Sequence, residues 1–322
     1  MGATIFIDGE AGTTGLQIKS RLIGRPGLDF IRLDDARRKD AAARREALND
    51  ADLVILCLPD EAAKEAVSLI DNDKTRVIDA SSAHRTASGW VYGFPEYSAD
   101  SRSEVAAGRL VSNPGCYAIT SVAILNPLVA AGLVPSDWPV TINAVSGYSG
   151  GGKQLIAAFE DSASEAYTEE SFRVYGLGLS HKHVPEIQKW GRLDKRPLFV
   201  PSVGRFAQGM LVQIPLQLWA MPGQPTVEQV HRALSDHYAG QRYVTVTDLK
   251  DSVAATKIDP ESLNGTNELR LHVFANEAEG QAVVVGQLDN LGKGASGQAV
   301  QNLNIMLGLP EDEGLDRPAH IE

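Results

Sequence analysis

Short runs of β-branched and aliphatic residues recur through the first third of the chain: "TIFIDG", "LDFIRLD", "DLVILCLP", "TRVIDAS" and "GRLVSNP". Longer amphipathic stretches separate them, and this alternation predicts a parallel sheet built from βαβ units. From about residue 139 the texture changes. "PVTINAVSG", "LFVPSVG", "MLVQIPLQL", "RYVTVTDL", "ELRLHVFAN" and "QAVVVGQL" predict many strands and few helices, hence a mixed α/β region with a largely antiparallel sheet. In "ELRLHVF", Glu268, Arg270 and His272 alternate with Leu269, Leu271 and Val273, so one strand face is wet and His272 is expected in solvent. Near the end, "GKGASGQAVQNLNIMLG" places Val300, Leu303 and Leu307 on one helical face after a glycine-rich entry, a helix suited to pack back on the first region. The acidic, proline-punctuated "PEDEGLDRPAHIE" reads as a loose tail.

At 322 residues, with 43% hydrophobic and 22% charged residues, the composition is that of an ordinary globular protein with room for two domains. A net charge of −11 opposes general adhesion to nucleic acid or anionic membranes and leaves room only for a local basic pocket. "MGATIFIDGE" lacks a basic leader, and no apolar run approaches the ~18 residues of a membrane span, so a cytoplasmic location is expected. Cys57 and Cys116, the only two cysteines, form neither a disulfide framework nor a CxxC pattern, and no metal site is expected.

"IFIDGEAGTTGLQI" sets Gly9, Gly12 and Gly15 at three-residue spacing between a strand and a helix. Small residues are needed there because the backbone must turn tightly and approach a pyrophosphate at the helix N-terminus. Thr13 and Thr14 add hydroxyl donors. The pattern alone is common in strand-to-helix turns, but its place as the first βα turn favours a nucleotide. About twenty residues on, "LDDARRK" offers Asp34, suited to a ribose hydroxyl, and Arg37 with Arg38, suited to a 2′-phosphate. The balance tips to NADP.

"SNPGCYAIT" places Cys116 where a strand hands over to a helix through Pro114 and Gly115. The positive end of a helix dipole favours a thiolate, which suits a nucleophile. Cys57, inside "VILCLP", reads instead as a small core hydrophobe. A thiolate beside a nicotinamide suggests acyl transfer to sulfur followed by hydride reduction to an aldehyde, or the reverse. "LSHKHVPEIQKW" supplies His181, His183 and Glu186 for proton transfer and orientation, with a polar loop capping a short helix as the bland alternative. "SGYSGGGKQ", containing Ser149, Gly150 and Lys153, is a second glycine-rich turn able to hold a phosphate or carboxylate. "DASSAHRT" adds Ser81, Ser82 and Arg85 at a strand end where ligands of open α/β sheets bind, Arg85 being either an oxyanion clamp or an ordinary exposed arginine.

Taken together, "GEAGTTG", "DASSAHR", "YGFPE", "SNPGCY", "SGYSGGGK", "HKHVPE" and "DNLGKGASGQAVQNLN" fall in order from residue 9 to residue 304. The sequence thereby resembles the shorter form of the N-acetyl-gamma-glutamyl-phosphate reductase family, in a larger group with aspartate-semialdehyde dehydrogenase. "NPGCY" with "HKHVPE" is the specific part. The resemblance implies an α/β fold: a Rossmann-type NADP-binding domain over residues 1–115, completed by a C-terminal helix at 296–309, and a catalytic and dimerisation domain over 116–295. It implies that Cys116 attacks an acyl phosphate, that NADPH reduces the thioester, that His181 and His183 do acid/base and polarising work, and that Glu186 holds one of them. Ser82, Arg85 and Asn113 would line the substrate pocket, with the Gly150 to Lys153 turn nearby. The partner is a small-molecule acyl phosphate, and a homodimer or homotetramer is expected by analogy. Longer members carry "DLSADFR" where this chain has "DASSAHR", so His84 stands in place of an aromatic residue. Open alternatives are a related reductase with an aspartyl or aminoadipyl chain, a thiol hydrolase, and a non-catalytic nucleotide-binding regulator.

Overall fold

The computed structural model describes residues 2–34 and 37–315. Two compact units emerge, one formed by the chain up to Pro114 together with the segment from Ala295 on, the other running from Gly115 to Gly294.

In the first unit, β1 (Ala3–Asp8), α1 (Thr13–Leu22), β2 (Leu28–Ile31), α2 (Ala41–Asp50), β3 (Leu53–Leu56), α3 (Asp60–Ser68) and β4 (Arg76–Asp79) alternate as the periodicity predicts. They are followed by β5 (Val91–Tyr92), α4 (Ser101–Ala107) and β6 (Leu110–Ser112). The six strands form one parallel sheet in the order β2-β1-β3-β4-β6-β5. β3 is buried along its length, as a central parallel strand covered on both faces must be. The two-residue β5 escapes sequence reading because two residues carry no periodicity.

The second unit begins with α5 (Cys116–Ala130), followed by β7 (Thr141–Gly147), α6 (Gly152–Glu160), β8 (Phe172–Val174), α7 (Val184–Trp190), β9 (Leu198–Gly204) and β10 (Met210–Gln217). α8 (Val227–His237), β11 (Val244–Val246), α9 (Leu249–Ala254), β12 (Leu269–Asn276) and β13 (Gln281–Leu288) complete it. Its sheet runs β11-β12-β13-β10-β7-β9-β8 and is mixed: β11 with β12 and β7 with β9 are parallel, and the remaining neighbours are antiparallel. α5 is largely apolar, and its residues from Tyr117 to Leu128 are buried, as such a helix requires. Pro127 inside it cannot donate to the carbonyl four residues back. The Tyr238 hydroxyl donates to that Ala123 carbonyl at 2.9 Å instead.

The chain then returns to the first unit as α10 (Gly297–Leu307). Val300 and Leu303 are buried, and so are Gln298, Gln301, Asn302 and Asn304 on the polar side. Asn302 Nδ2 donates to the Gly93 carbonyl at 3.0 Å and Gln301 Nε2 to Glu96 at 2.8 Å. The stretch expected as a loose tail is pinned as far as Leu315. Glu311 accepts from Gln301 at 2.7 Å and pairs with Arg102, Arg25 pairs with Glu313 at 3.0 Å, and Leu315 is buried. Glu311 and Glu313 are thus ion-pair partners, and the rest of the expected tail, 316–322, lies outside the described residues. His272, expected in solvent, is half-buried on β12, and burial lowers its pKa below the ordinary histidine value. Among the described residues no helix is long and apolar enough to cross a membrane.

Candidate functional site

Cys116 occupies the first position of α5, with Gly115 as the extended N-cap residue and no acidic side chain in the first turn. Both sequence neighbours of this cysteine are tied to the histidine segment. On one side, the Gly115 amide donates to Oε1 of Glu186 at 3.0 Å, a carboxylate that is 1% exposed. On the other, the Tyr117 ring lies 5.9 Å from the rings of both His181 and His183. The two imidazoles are 4.7 Å apart, nearly perpendicular, and the Phe199 ring lies 5.2 Å from that of His181. His183, buried, caps the N-terminus of α7, and Glu186 sits in that helix's first turn. The His183 amide donates to Nδ1 of His181 at 3.1 Å, which leaves the neutral ring of His181 with its proton on Nε2. Gly294 is required by close approach: a Cβ there would stand 2.8 Å from Cβ of Cys116.

Tyr175 carries no local signal in the sequence, whereas Tyr117 closes the "NPGCY" stretch. The Tyr175 hydroxyl donates to that of Tyr117 at 3.2 Å, and Tyr117 in turn donates to the Ser202 carbonyl at 3.2 Å. Burial, with a smaller contribution from Cys116, pushes Tyr175 up to about 12, and burial likewise raises Tyr117 well above the ordinary tyrosine value. Near neutrality both phenols stay protonated. Their rings pack against the imidazoles, Tyr117 against His181 and His183 and Tyr175 against His181.

Of the second glycine-rich turn, Ser149 is buried and its hydroxyl accepts from Asn290 at 3.0 Å. The amides of Tyr148 and Ser149 are consumed by the carbonyls of Phe206 and Ala207, so they do not serve as an anion nest. Gly150 follows in the turn, and Lys153 is exposed near the start of α6.

In the first unit the three glycines differ. Gly9 has φ +87°, and a Cβ on it would lie 2.3 Å from the Cys57 carbonyl. A Cβ on Gly15 would meet the Gly9 carbonyl at 2.6 Å, whereas at Gly12 the nearest atom is an ordinary 3.5 Å away. The fold therefore demands glycine at the first and third positions and leaves room for a Cβ at the second, where a pyrophosphate would approach the backbone. α1 begins at Thr13 with no acidic residue in its first turn, so its opening amides suit an anion. A cavity of about 520 Å³ opens beside the loop, lined by Gly9, Gly12, Arg32, Arg38, Arg44 and Cys57 among others. Size and lining fit a dinucleotide. Arg37, in contrast, is outside the cavity lining, and its guanidinium lies 3.3 Å from Glu46.

The β4 end differs from the exposed-arginine reading. Arg85 is buried, donating through Nε to the Asn113 carbonyl and through Nη2 to the Ala80 carbonyl, both at 3.0 Å, so those two donors hold loops together. The Ser82 hydroxyl and amide are both held by Asp60 at the start of α3. Asn113 donates to the Ala295 carbonyl and accepts from Asn302. His84 contacts the buried Asp79 at 2.6 Å and stacks on Trp90 with centroids 4.1 Å apart, which explains how a histidine serves at an aromatic position.

A parallel-sheet unit with a glycine loop, joined to a mixed-sheet unit that starts on a cysteine, is the architecture of the semialdehyde dehydrogenases. Solved aspartate semialdehyde dehydrogenases share the fold: the Vibrio cholerae form II enzyme superposes with a TM-score of 0.69 at 14% identity over 96% of this chain and 99% of that one. The Francisella tularensis enzyme gives 0.69 at 15% identity over 95% of this chain and 100% of that one. Residues 28–105 match the family described as semialdehyde dehydrogenase, NAD binding domain, and residues 116–290 match its dimerisation domain. N-acetyl-gamma-glutamyl-phosphate reductases are much nearer in sequence: that of Trichormus variabilis is 51% identical over 97% of this chain and 98% of that protein. That of Brucella ovis is 53% identical over 96% of this chain and all of that protein. The chain belongs to the semialdehyde dehydrogenase family and, within it, to the N-acetyl-gamma-glutamyl-phosphate reductases. It is accordingly an oxidoreductase that uses a nicotinamide cofactor.

Proposed function

We propose that this chain reduces N-acetylglutamyl 5-phosphate to N-acetylglutamate 5-semialdehyde and phosphate, with NADPH as reductant, as a step of arginine biosynthesis. The reading rests on one observation: Cys116 opens a buried helix, and both its sequence neighbours are held by the segment that carries His181, His183 and Glu186.

In this scheme the thiolate of Cys116 attacks the acyl carbon, the C–O bond to phosphate breaks, and a thioester remains on sulfur. His181 and His183 take up the thiol proton and return it as the leaving groups depart. Glu186 fixes the Gly115 amide and so the backbone that aims the sulfur; it acts as a positioning residue. A nicotinamide nucleotide held at the glycine loop of Gly9, Gly12 and Gly15 would supply the hydride that reduces the thioester. Collapse of the resulting tetrahedral adduct frees the aldehyde and regenerates the thiolate. Ser82, Arg85, Asn113, Ser149, Gly150 and Lys153 are the residues that the family resemblance assigns to the substrate. Gly9, Gly12, Thr13, Thr14 and Gly15 hold the pyrophosphate. The enzyme works as a homodimer or homotetramer in the cytoplasm. Alternate residues of β10, Gln213, Pro215 and Gln217, are exposed, leaving one face of the second sheet available to another copy.

The test follows phosphate-dependent reduction of NADP, and separately of NAD, by absorbance with N-acetylglutamate semialdehyde. Wild type is expected to turn over with NADP, and Cys116→Ser to lose turnover while still binding nucleotide. Activity only with an aspartyl or aminoadipyl aldehyde would keep the chemistry and replace the substrate; full activity of Cys116→Ser would remove the mechanism.

A further inference from the structure

The stretch "DNLGKGASGQAVQNLN" opens on Asp289, a residue that the proposed chemistry leaves without a part. β13 lies between β12 and β10 and runs antiparallel to both, with Leu288 level with Leu269 on one side and Met210 on the other. Asp289 therefore leaves the sheet where the chain enters both neighbouring strands, and its side chain is fully buried there. Oδ1 accepts from the Leu291 amide at 2.9 Å, while Oδ2 accepts from the Gly265 amide at 2.8 Å and from Nε2 of Gln208 at 2.5 Å. Each oxygen thus faces a backbone N–H, which can only donate. The position calls for a carboxylate, since the isosteric amide would set its NH2 against one of those N–H groups.

The turn held in this way ends against the cysteine. The Asp289 carbonyl accepts from the Gly294 amide at 3.0 Å. Gly294 is packed so closely that a Cβ on it would stand 3.2 Å from that carbonyl and 2.8 Å from Cβ of Cys116. Gly292 is clamped likewise: a Cβ there would meet the Thr266 carbonyl at 2.3 Å and Oδ2 of Asp289 at 3.0 Å. Asn290, also buried, ties the same turn to two further segments, accepting from the Gly209 amide at 2.8 Å and donating to the Ser149 hydroxyl at 3.0 Å. Buried polar clusters whose hydrogen bonds are made are rigid, and close-packed contacts pass a displacement on instead of absorbing it.

We infer that Asp289 is a positioning residue for Cys116. Its carboxylate sets the 289–294 turn, Gly294 sets the place of the cysteine Cβ at the start of α5, and the direction in which Sγ meets the acyl carbon follows. Glu186 holds the backbone just before the cysteine, through the Gly115 amide, and Asp289 holds the side-chain root from a different segment. The inference deepens the reading of Cys116 as the nucleophile and rests on it.

The experiment measures kcat and KM for phosphate-dependent reduction of NADP with N-acetylglutamate semialdehyde, alongside thermal melts. Asp289→Asn is expected to lower kcat about tenfold to a hundredfold with KM for the aldehyde within about threefold, because aim is lost and not binding. Gln287→Leu is the structural control: Gln287 is as buried, and its Nε2 donates away from the turn, to the Asp259 carbonyl and the Ser262 hydroxyl. It should lower Tm comparably and keep kcat within about twofold. Gly294→Ala presses on Cys116 directly and should reproduce the kcat-selective loss. The D289N/G294A double variant should lose little more than the worse single one, since both act through one contact. Should D289N fail to fold, Gln208→Ala removes one of the three donors to Asp289 and should still lower kcat about threefold at unchanged KM. Normal kcat in the Asp289 and Gln208 variants, an equal kcat loss in Q287L, or additive losses in the double variant would overturn the positioning role while leaving the nucleophile in place. If wild type shows no turnover that depends on Cys116, the nucleophile reading falls and the role of Asp289 with it.

Discussion

The two cysteines of this chain occupy opposite kinds of position, and the contrast shows how local structure sets what a thiol can do. Cys57 follows the end of β3, between β1 and β4 in the sheet, and both neighbouring strands end in aspartate, Asp8 and Asp79. Burial chiefly, with the charges of Asp79 and Asp8 added, pushes its thiol up to about 12. Cys116 opens a 15-residue helix whose first turn holds no acidic side chain, where the aligned amides favour an anion. A strand end flanked by carboxylates keeps sulfur protonated, whereas a helix start favours the thiolate that the proposed mechanism requires.

The sharpest way to break this contrast is to exchange serine for each cysteine. Cys116→Ser should lower turnover by about a thousandfold or more, and Cys57→Ser should stay within about threefold, as measured by steady-state absorbance with nucleotide binding checked separately. Comparable losses from both would end the distinction. A smaller effect is expected at the residue that aims Cys116. Glu186→Ala leaves the buried Gly115 amide without its acceptor, which should cost about 1–3 kcal/mol of stability and roughly tenfold or more in kcat. Glu186→Gln keeps an acceptor oxygen and should recover most of both; a deficit as deep as that of alanine would mean the charge, not the hydrogen bond, matters.

The glycine loop, on the Cys57 side of the comparison, offers a subtler pair. Gly15→Ala forces a 2.6 Å contact with the Gly9 carbonyl and should lower Tm by several degrees, roughly 1–3 kcal/mol. Gly12→Ala has room in the free protein and should melt within about a degree or two of wild type while binding NADP about tenfold more weakly. Equal thermal losses for the two would contradict the division of labour among the glycines.

The last effect concerns pH. With Cys57 raised to about 12 in the folded state against about 8.5–9 when unfolded, the native protein retains a proton that the unfolded chain gives up. Stability should therefore fall as pH rises from about 9 toward 12, by on the order of 1 kcal/mol per pH unit from this group. Urea titrations of wild type and Cys57→Ala across that window should diverge, the variant showing the flatter curve. Parallel curves would mean Cys57 ionises normally.

Where the chemistry is local in sequence, it could be read there. The strand-to-helix hand-over at Cys116 and the glycine spacing at 9, 12 and 15 are each contained in a dozen residues, and hydrophobic periodicity marks the longer strands of both sheets. What was not legible depends on chain segments meeting from far apart. The Asp8–Arg44 pair spans 36 positions and the Glu186–Gly115 contact 71, so no local pattern announces either. Buried Gln301, Asn302 and Asn304 look like an exposed polar face until their partners are known. The same holds for Glu311 and Glu313, whose acidity suggests solvent but whose partners are arginines. Arg85 reads as exposed for a related reason: nothing near it in sequence shows the carbonyls of Ala80 and Asn113 converging on its guanidinium.

The most direct measurement is to mix the enzyme with N-acetylglutamyl 5-phosphate in the absence of reduced nucleotide, quench in acid, and map the protein by mass spectrometry. One acyl group per chain on the peptide containing Cys116, discharged when NADPH is added before the quench, is the expected result. No adduct, or an adduct on the Cys57 peptide, from enzyme that turns over normally would contradict a thioester at the start of α5.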